Sequence, residues 1–198
     1  QEIAVSKTVL ASGIAAIMLF LYGGLGYLGL KLSKKIAFAD LWDLKVSNKE
    51  RLLIPSLTGI LLGIIFIVLD LIFSQFHTLC SIPHPPFPTS IIASATAAIG
   101  EEIIYRLFFI SFWVWLISHL IFKDRWRNII FWIVTFCSAI LFASAHLPSI
   151  IALYGLNTLS EIPPALILEI FILNGLLSIP AAYYLRKYGL LAAVGVHF

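Results

Sequence analysis

Charged side chains are scarce in this sequence. Asp, Glu, Lys and Arg make up 12% of the 198 residues, whereas hydrophobic residues make up 61% and the mean hydropathy is +1.01. An ordinary soluble domain carries about 25% charged residues. The composition therefore excludes a typical soluble protein and predicts an integral membrane protein.

Cysteine is scarce as well, with two residues in the whole chain. Cys80 lies in a predicted loop and Cys137 in an apolar run, far apart in the sequence. This arrangement favours neither a disulfide framework nor a thiolate metal cluster. An internal repeat and a soluble domain are also missing from the pattern. We therefore interpret residues 1–198 as a single integral membrane domain.

Lysine and arginine are missing from two loops. Of the thirteen lysines and arginines, all except Lys7 and Arg106 lie in residues 31–51, 123–127 and 186–187. Residues 74–90 and 147–162 contain neither. The positive-inside rule places these last two loops on the side away from the cytoplasm. The net charge of +3 follows from this topology, so we expect no nucleic-acid partner.

Long apolar runs fill the rest of the chain. A helix needs about 20 such residues to cross the hydrocarbon core. The first run ends in a lysine cluster rather than a cleavage site, which indicates a retained span and not a signal peptide. We predict an all-α polytopic membrane bundle with about six visible spans, of which the last is truncated. We expect the sequence to be part of a longer open reading frame. The predicted spans are residues 9–30, 52–73, 91–122, 129–147, 165–185 and 188–198.

Two of these runs raise a question of depth. Residues 91–122 are too long for one straight span, so this helix must tilt steeply or project beyond the membrane. We expect the next span to end at Pro148 and an irregular or re-entrant connection to follow over residues 147–164. Glu101 then lies roughly ten residues, about 15 Å, below the outer start of its helix. His146 lies almost at the outer end of its own.

Three charges interrupt the apolar run at residues 91–122. A charge at the bilayer centre costs about 2.5 to 3.5 kcal/mol. Glu102 and Arg106 are four residues apart on one helix face, so we expect them to pair. Glu101 points about 100° away, without a positive partner in its own segment. Burial without a counter-charge raises the pKa of a carboxyl group, which suits a general base. A simpler interpretation is a polar cluster that holds helices together.

Two histidines lie on other predicted spans. Phe142 and His146 are one helical turn apart, so that the ring can pack beneath the imidazole and hold its orientation. His197 lies in the last, truncated span. Both spans run opposite to the glutamate helix, and the three helices can bring these groups together. The remaining histidines are expected to be packed or interface residues; they are His77, His84 and His119.

Three motifs, taken in order, resemble the signatures of the CPBP family of intramembrane glutamic endopeptidases, also called the CAAX protease and bacteriocin-processing (Abi) family. They are Glu101-Glu102-x-x-x-Arg106, Phe142-x-x-x-His146 and His197 in the final helix. The resemblance covers roughly residues 90–198, which we interpret as the motif-bearing core. The last signature is incomplete here, because its usual His-x-x-x-Asn partner would fall at position 201, beyond the sequence.

The resemblance implies an intramembrane glutamic-type protease. In that family the first glutamate, here Glu101, and the histidine of the second motif, here His146, activate the water that attacks the scissile carbonyl. His197 would bind the developing oxyanion. The implied substrate is a membrane-embedded or prenylated peptide or protein, the implied location is the cell (plasma) membrane, and no cofactor is required. The supporting residues are Glu102, Arg106 and Phe142.

Three alternatives remain open. Glu101, His146 and His197 also make a catalytic zinc set with an open position for water. Asp70, Glu101 and Glu169 with the histidines would suit the relay of a proton-coupled transporter, although the small number of spans and the lack of a repeat count against it. A non-catalytic membrane partner or immunity protein of the same fold would use the motif residues only to hold helices together.

Overall fold

The computed structural model describes residues 6–79 and 81–198, so Cys80 lies outside the described residues. No β-strand occurs in the part of the chain that is described. A short helix, α6 (Leu190–His197), follows five longer ones. The prediction of an all-α membrane bundle is confirmed. The five helices long and apolar enough to cross a membrane are α1 (Lys7–Lys35), α2 (Lys49–Phe73), α3 (Thr89–Ile121), α4 (Arg127–Tyr154) and α5 (Pro164–Tyr188).

Helix α3 carries the glutamate motif and has 33 residues. Its backbone widens into π-type turns over Glu102–Ile110 and again over Trp115–Ile121. Such widened turns often occur at functional sites, because they change the directions of side chains relative to a regular helix. The first widened turn begins at the motif itself and so determines where Glu102 and Arg106 point.

The predicted end of the fourth span at Pro148 is wrong. Helix α4 continues through Pro148 to Tyr154 and ends at Gly155, whose φ of 64° is left-handed. Proline removes the hydrogen bond to the carbonyl of Ser144, but a helix packed among neighbours tolerates one missing bond. The irregular connection is therefore shorter than expected. His146 lies about two turns before the end of α4, which removes most of the mismatch in depth with Glu101.

Packing joins helices α2 to α6 around one apolar core. Helix α4 packs along α5, α5 packs against α6, and α2 packs against both α5 and α6. Apolar side chains also cover the outer faces of the bundle, as in Leu19, Ile60 and Phe136, which are 68%, 62% and 62% exposed. This outer surface suits contact with lipid. Large members of the core are Leu107, Phe131, Phe142, Leu185 and Val196.

A second apolar cluster lies where α4 ends and α5 begins. It contains Ile150, Leu166 and Ile170, and Leu79 and Ile82 pack against it. These two residues belong to residues 74–88, which we call the α2–α3 loop. The loop therefore lies on the bundle rather than projecting away from it.

Two glycines allow α6 to pack in place. Gly189, between α5 and α6, has a φ of 88°, which favours glycine, and a side chain there would collide with the backbone of Asp40. Gly59 of α2 lies against Val196, where an added Cβ would approach the carbonyl oxygen to 2.7 Å. Both close approaches help to position His197, the last residue of α6.

Candidate active site

Glu102 and Arg106 form the buried ion pair that their spacing predicts. Arg106 Nε lies 3.4 Å from Glu102 Oε1, and both side chains are fully buried. Arg106 Nη2 donates a hydrogen bond of 2.8 Å to Ser178 Oγ of α5. The guanidinium carbon lies 4.1 Å from the centre of the Phe142 ring of α4. Three helices thus hold the arginine through an anion, a hydroxyl group and an aromatic face.

His197 lies between the two glutamates. Its Nδ1 is 2.9 Å from Glu102 Oε1, and its Nε2 is 3.5 Å from Glu101 Oε2. An ionised carboxylate only accepts hydrogen bonds, so Nδ1 donates its proton to Glu102. The Glu101 side chain is 30% exposed, whereas that of Glu102 is fully buried. The two glutamates therefore differ in environment. Glu101 has no positive partner in its own helix, and the imidazole of His197 approaches it from α6.

Phe142 and His146 pack against each other, as their spacing predicts. Their ring centres are 4.8 Å apart and the rings are nearly perpendicular. His146 Nδ1 lies 2.8 Å from the backbone oxygen of Phe142. Because a carbonyl oxygen only accepts, Nδ1 carries the proton, and Nε2 of the neutral ring is left as an acceptor. The Phe142 ring also lies 5.9 Å from that of His197, so it contacts both imidazoles.

A cavity of about 410 Å³ adjoins these side chains. His146, His197 and Phe142 line it, and Ala97, one helical turn before Glu101, lines the α3 wall. Glu101 is not among the lining residues; it reaches the site through its approach to His197. The volume falls in the range of about 300 to 1,000 Å³ that is typical of small-ligand sites.

Three polar residues of the site were not included in the sequence motifs. Ser178 binds Arg106, and Asn174, one turn earlier on α5, lines the cavity and donates to the backbone oxygen of Ile170 at 2.7 Å. Their spacing of four within an apolar span was a signal that could have found them. His84 of the α2–α3 loop also lines the cavity, although the sequence suggested only a packed or interface residue.

The residues considered for a proton relay form a separate cluster. His77 Nε2 lies 3.4 Å from Glu169 Oε2, with both side chains fully buried, and Asp70 interacts with the Glu169 carboxyl group. Within the described ranges, no hydrogen bond or ion pair connects this cluster to Glu101.

The other predictions concern His119 and metal binding. His119 is exposed and lies 3.1 Å from Asp124 between α3 and α4. Hydrogen bonds from Arg127 and His119 lower the pKa of the Asp124 carboxyl group. Among the residues that the structure describes, no three His, Cys, Asp or Glu side chains are grouped to hold a metal ion. The expectation that no cofactor is required stays a prediction, and so does the alternative of a zinc site.

The family assignment follows from a comparison with known proteins. A family model described as Rce1-like, type II CAAX prenyl endopeptidase, matches residues 83–198, more than half of the chain. The chain belongs to this family. The resemblance inferred from the three motifs is confirmed, and the Rce1-like chain is an integral membrane protein of a CAAX protease family. No curated protein and no solved structure matches it.

Proposed function

We propose that this Rce1-like chain hydrolyses a peptide bond of a membrane-associated or lipidated substrate, using a water molecule activated by Glu101 and His146. The observation that carries the proposal is that motifs from three helices meet at one cavity. His197 approaches Glu101, and Phe142 packs against both His146 and His197. The family match makes a protein with a prenylated C-terminal Cys-a-a-X sequence the favoured substrate class.

His146 and Glu101 both take part in activating the water molecule. The hydrogen bond from His146 Nδ1 to Phe142 leaves Nε2 able to accept a proton. Glu101 provides a partly exposed carboxylate beside the cavity. As the water oxygen bonds to the scissile carbon, its proton passes to this pair and then to the leaving nitrogen, and the C–N bond breaks. A positioned general base contributes about 10²- to 10⁴-fold to such a reaction.

His197 is the proposed donor to the oxyanion. Its Nδ1 is directed at Glu102, so donation to the substrate must come from Nε2. That nitrogen therefore has to carry a proton, which makes the ring an imidazolium flanked by Glu101 and Glu102. One donor aimed at a developing oxyanion typically contributes about 2.7 to 4 kcal/mol. Arg106 then neutralises Glu102 and holds it in position.

The test is a cleavage assay with the purified full-length protein. A farnesylated peptide ending in Cys-a-a-Met is the substrate, and mass spectrometry detects the shortened product. We expect cleavage by the wild type and by Glu50→Gln, a matched control because its carboxyl group at the start of α2 is partly exposed like that of Glu101. Cleavage by Glu101→Gln should be about 10²- to 10⁴-fold slower. Undiminished cleavage by Glu101→Gln would contradict the mechanism.

A second candidate is a non-catalytic member of the same fold. The buried contacts of Arg106 with Glu102, Ser178 and Phe142 favour it, because such contacts hold helices together without any chemistry. A cellular phenotype that survives Glu101→Gln would support this candidate against proteolysis.

A further inference from the structure

His84 of the α2–α3 loop is an exposed side chain that lines the cavity beside the motif residues. It lines the cavity that contains His146 and His197, and also an adjoining, mostly apolar cavity of about 330 Å³. Within the described ranges, its imidazole makes no hydrogen bond or ion pair. A polar side chain that lines a cavity and is not engaged in such a contact is available to a ligand.

The other basic side chains near this cavity are already engaged. Arg106 is held by Glu102 and Ser178, and His197 lies between the two glutamates. His77 faces Glu169, and His146 donates to its own helix. Residues 74–90 and 147–162 contain no lysine or arginine. Of the described basic side chains that line the cavity, His84 is therefore the one free to meet an anion.

The α2–α3 loop is anchored close to His84. Two residues earlier, the backbone N–H of Ile82 donates to Asp70 Oδ1 at 3.1 Å. The hydroxyl group of Tyr154 donates to the backbone oxygen of Ser81 at 3.3 Å, and His77 pairs with the buried Glu169. The loop is therefore anchored as far as Ile82, and His84 follows two residues later as an exposed side chain at the cavity.

The proposed substrate brings an anion into this cavity. A Cys-a-a-X sequence is C-terminal, so its free carboxylate lies three residues after the prenylated cysteine. Three extended residues span about 10 Å. With the scissile bond at Glu101 and His146, the carboxylate lies up to this distance away, so a residue other than these two has to bind it. An imidazole donates an N–H to a carboxylate when neutral and adds a positive charge when protonated.

We propose that His84 binds the C-terminal carboxylate of the substrate and so selects chains that end three residues beyond the scissile bond. The inference rests on the proposed function, since it assumes cleavage within a C-terminal Cys-a-a-X sequence. Asp70, which lines the adjoining cavity, repels a carboxylate from that side and favours the position at His84.

The test uses two farnesylated peptides of one sequence, one ending in a free carboxylate and the other in a carboxamide. The quantity measured is the ratio of their kcat/KM values with the full-length protein. We expect the wild type to prefer the carboxylate by roughly 10- to 100-fold, as for one hydrogen bond to a charged group. His84→Phe, which keeps an aromatic ring, should lose this preference. His84→Lys should retain it, as should Phe87→Ala, a control in the same loop.

The outcomes separate this inference from the proposed function. A wild type without preference, or a His84→Phe protein that keeps it, overturns the role of His84 while proteolysis stands. An equal loss on both peptides indicates a structural role and also overturns it. A wild type that cleaves neither peptide contradicts the proposed function and the inference together. Binding of the two peptides to the Glu101→Gln protein gives a readout that needs no turnover, and equal affinities there overturn the role of His84 alone.

Discussion

Two buried polar clusters in this bundle are built differently. In the motif cluster (Glu101, Glu102, Arg106 and His197), an arginine supplies a permanent positive charge beside the glutamates. In the loop cluster (Asp70, His77 and Glu169), the only basic group is an imidazole. An arginine keeps its charge at any physiological pH, whereas an imidazole does not. The carboxylates of the motif cluster therefore have a permanent counter-charge, whereas those of the loop cluster, as described, have an imidazole in its place.

The two clusters also differ in what they connect. The motif cluster joins α3, α5 and α6 next to the cavity, through Ser178 and His197. The loop cluster fastens the α2–α3 loop to α2 and α5. Each leaves buried atoms without a hydrogen bond among the described residues, including Glu102 Oε2 in the first and Glu169 Oε1 in the second. Buried ion pairs add little net stability, so stability alone does not account for the motif cluster. We propose that the motif cluster serves the reaction and that the loop cluster anchors the α2–α3 loop.

The largest expected effect is on turnover within the motif cluster. Glu101→Gln removes the proposed base, so kcat should fall by about 10²- to 10⁴-fold. The melting temperature in detergent should stay close to that of the wild type, because this side chain is partly exposed and is not the partner of Arg106. A large loss of stability would show that Glu101 is a structural residue and would contradict its separation from Glu102.

The next largest effect is on stability in the same cluster. Glu102→Gln leaves the fully buried Arg106 without its anion, and breaking a buried pair in this way typically costs about 3 to 5 kcal/mol. Thermal or denaturant melts in detergent should show this loss, with Glu101→Gln as the matched control. Equal destabilisation by the two substitutions would refute the assignment of separate roles.

Local spacing predicted the contacts within single helices. The pairing of Glu102 with Arg106 and the packing of Phe142 on His146 both follow from a separation of four residues. Hydropathy likewise predicted the five long helices. These features depend on the period of the helix, which can be read from the sequence alone.

Contacts between distant segments could not be predicted in the same way. His197 reaches both glutamates, and His84 reaches the cavity, because of how helices and a loop pack. The end of α4 was misplaced for a related reason: Pro148 normally ends a helix, but neighbouring helices support the chain past it. Such outcomes depend on the tertiary structure.

A smaller effect is expected in the loop cluster. Glu169→Gln should lower the free energy of unfolding by about 1 to 3 kcal/mol, the usual cost of a buried polar group that loses its partner. No permanent cation is left unpaired there, so the loss should be smaller than for Glu102→Gln. Denaturant melts of both variants provide the comparison, with the exposed Glu161→Gln as control. A loss as large as that of Glu102→Gln would show that the loop cluster also contains a full ion pair.

The smallest expected effect is that of metal removal. A catalytic zinc site would need Glu101, His146 and His197 to place donor atoms about 2.0 to 2.2 Å from one ion. The Nδ1 atoms of both histidines are already bonded, to Phe142 and Glu102, so only their Nε2 atoms remain for such a role. In the proposed mechanism these atoms contact the water and the oxyanion directly, and activity should survive exhaustive chelation.

The histidine substitutions test the same alternative. Without a metal, His146→Ala and His197→Ala should slow the chemical step by different amounts, with little change in substrate binding. About one zinc per chain by elemental analysis, lost together with activity on chelation and restored by added metal, would replace the glutamate mechanism with a zinc mechanism.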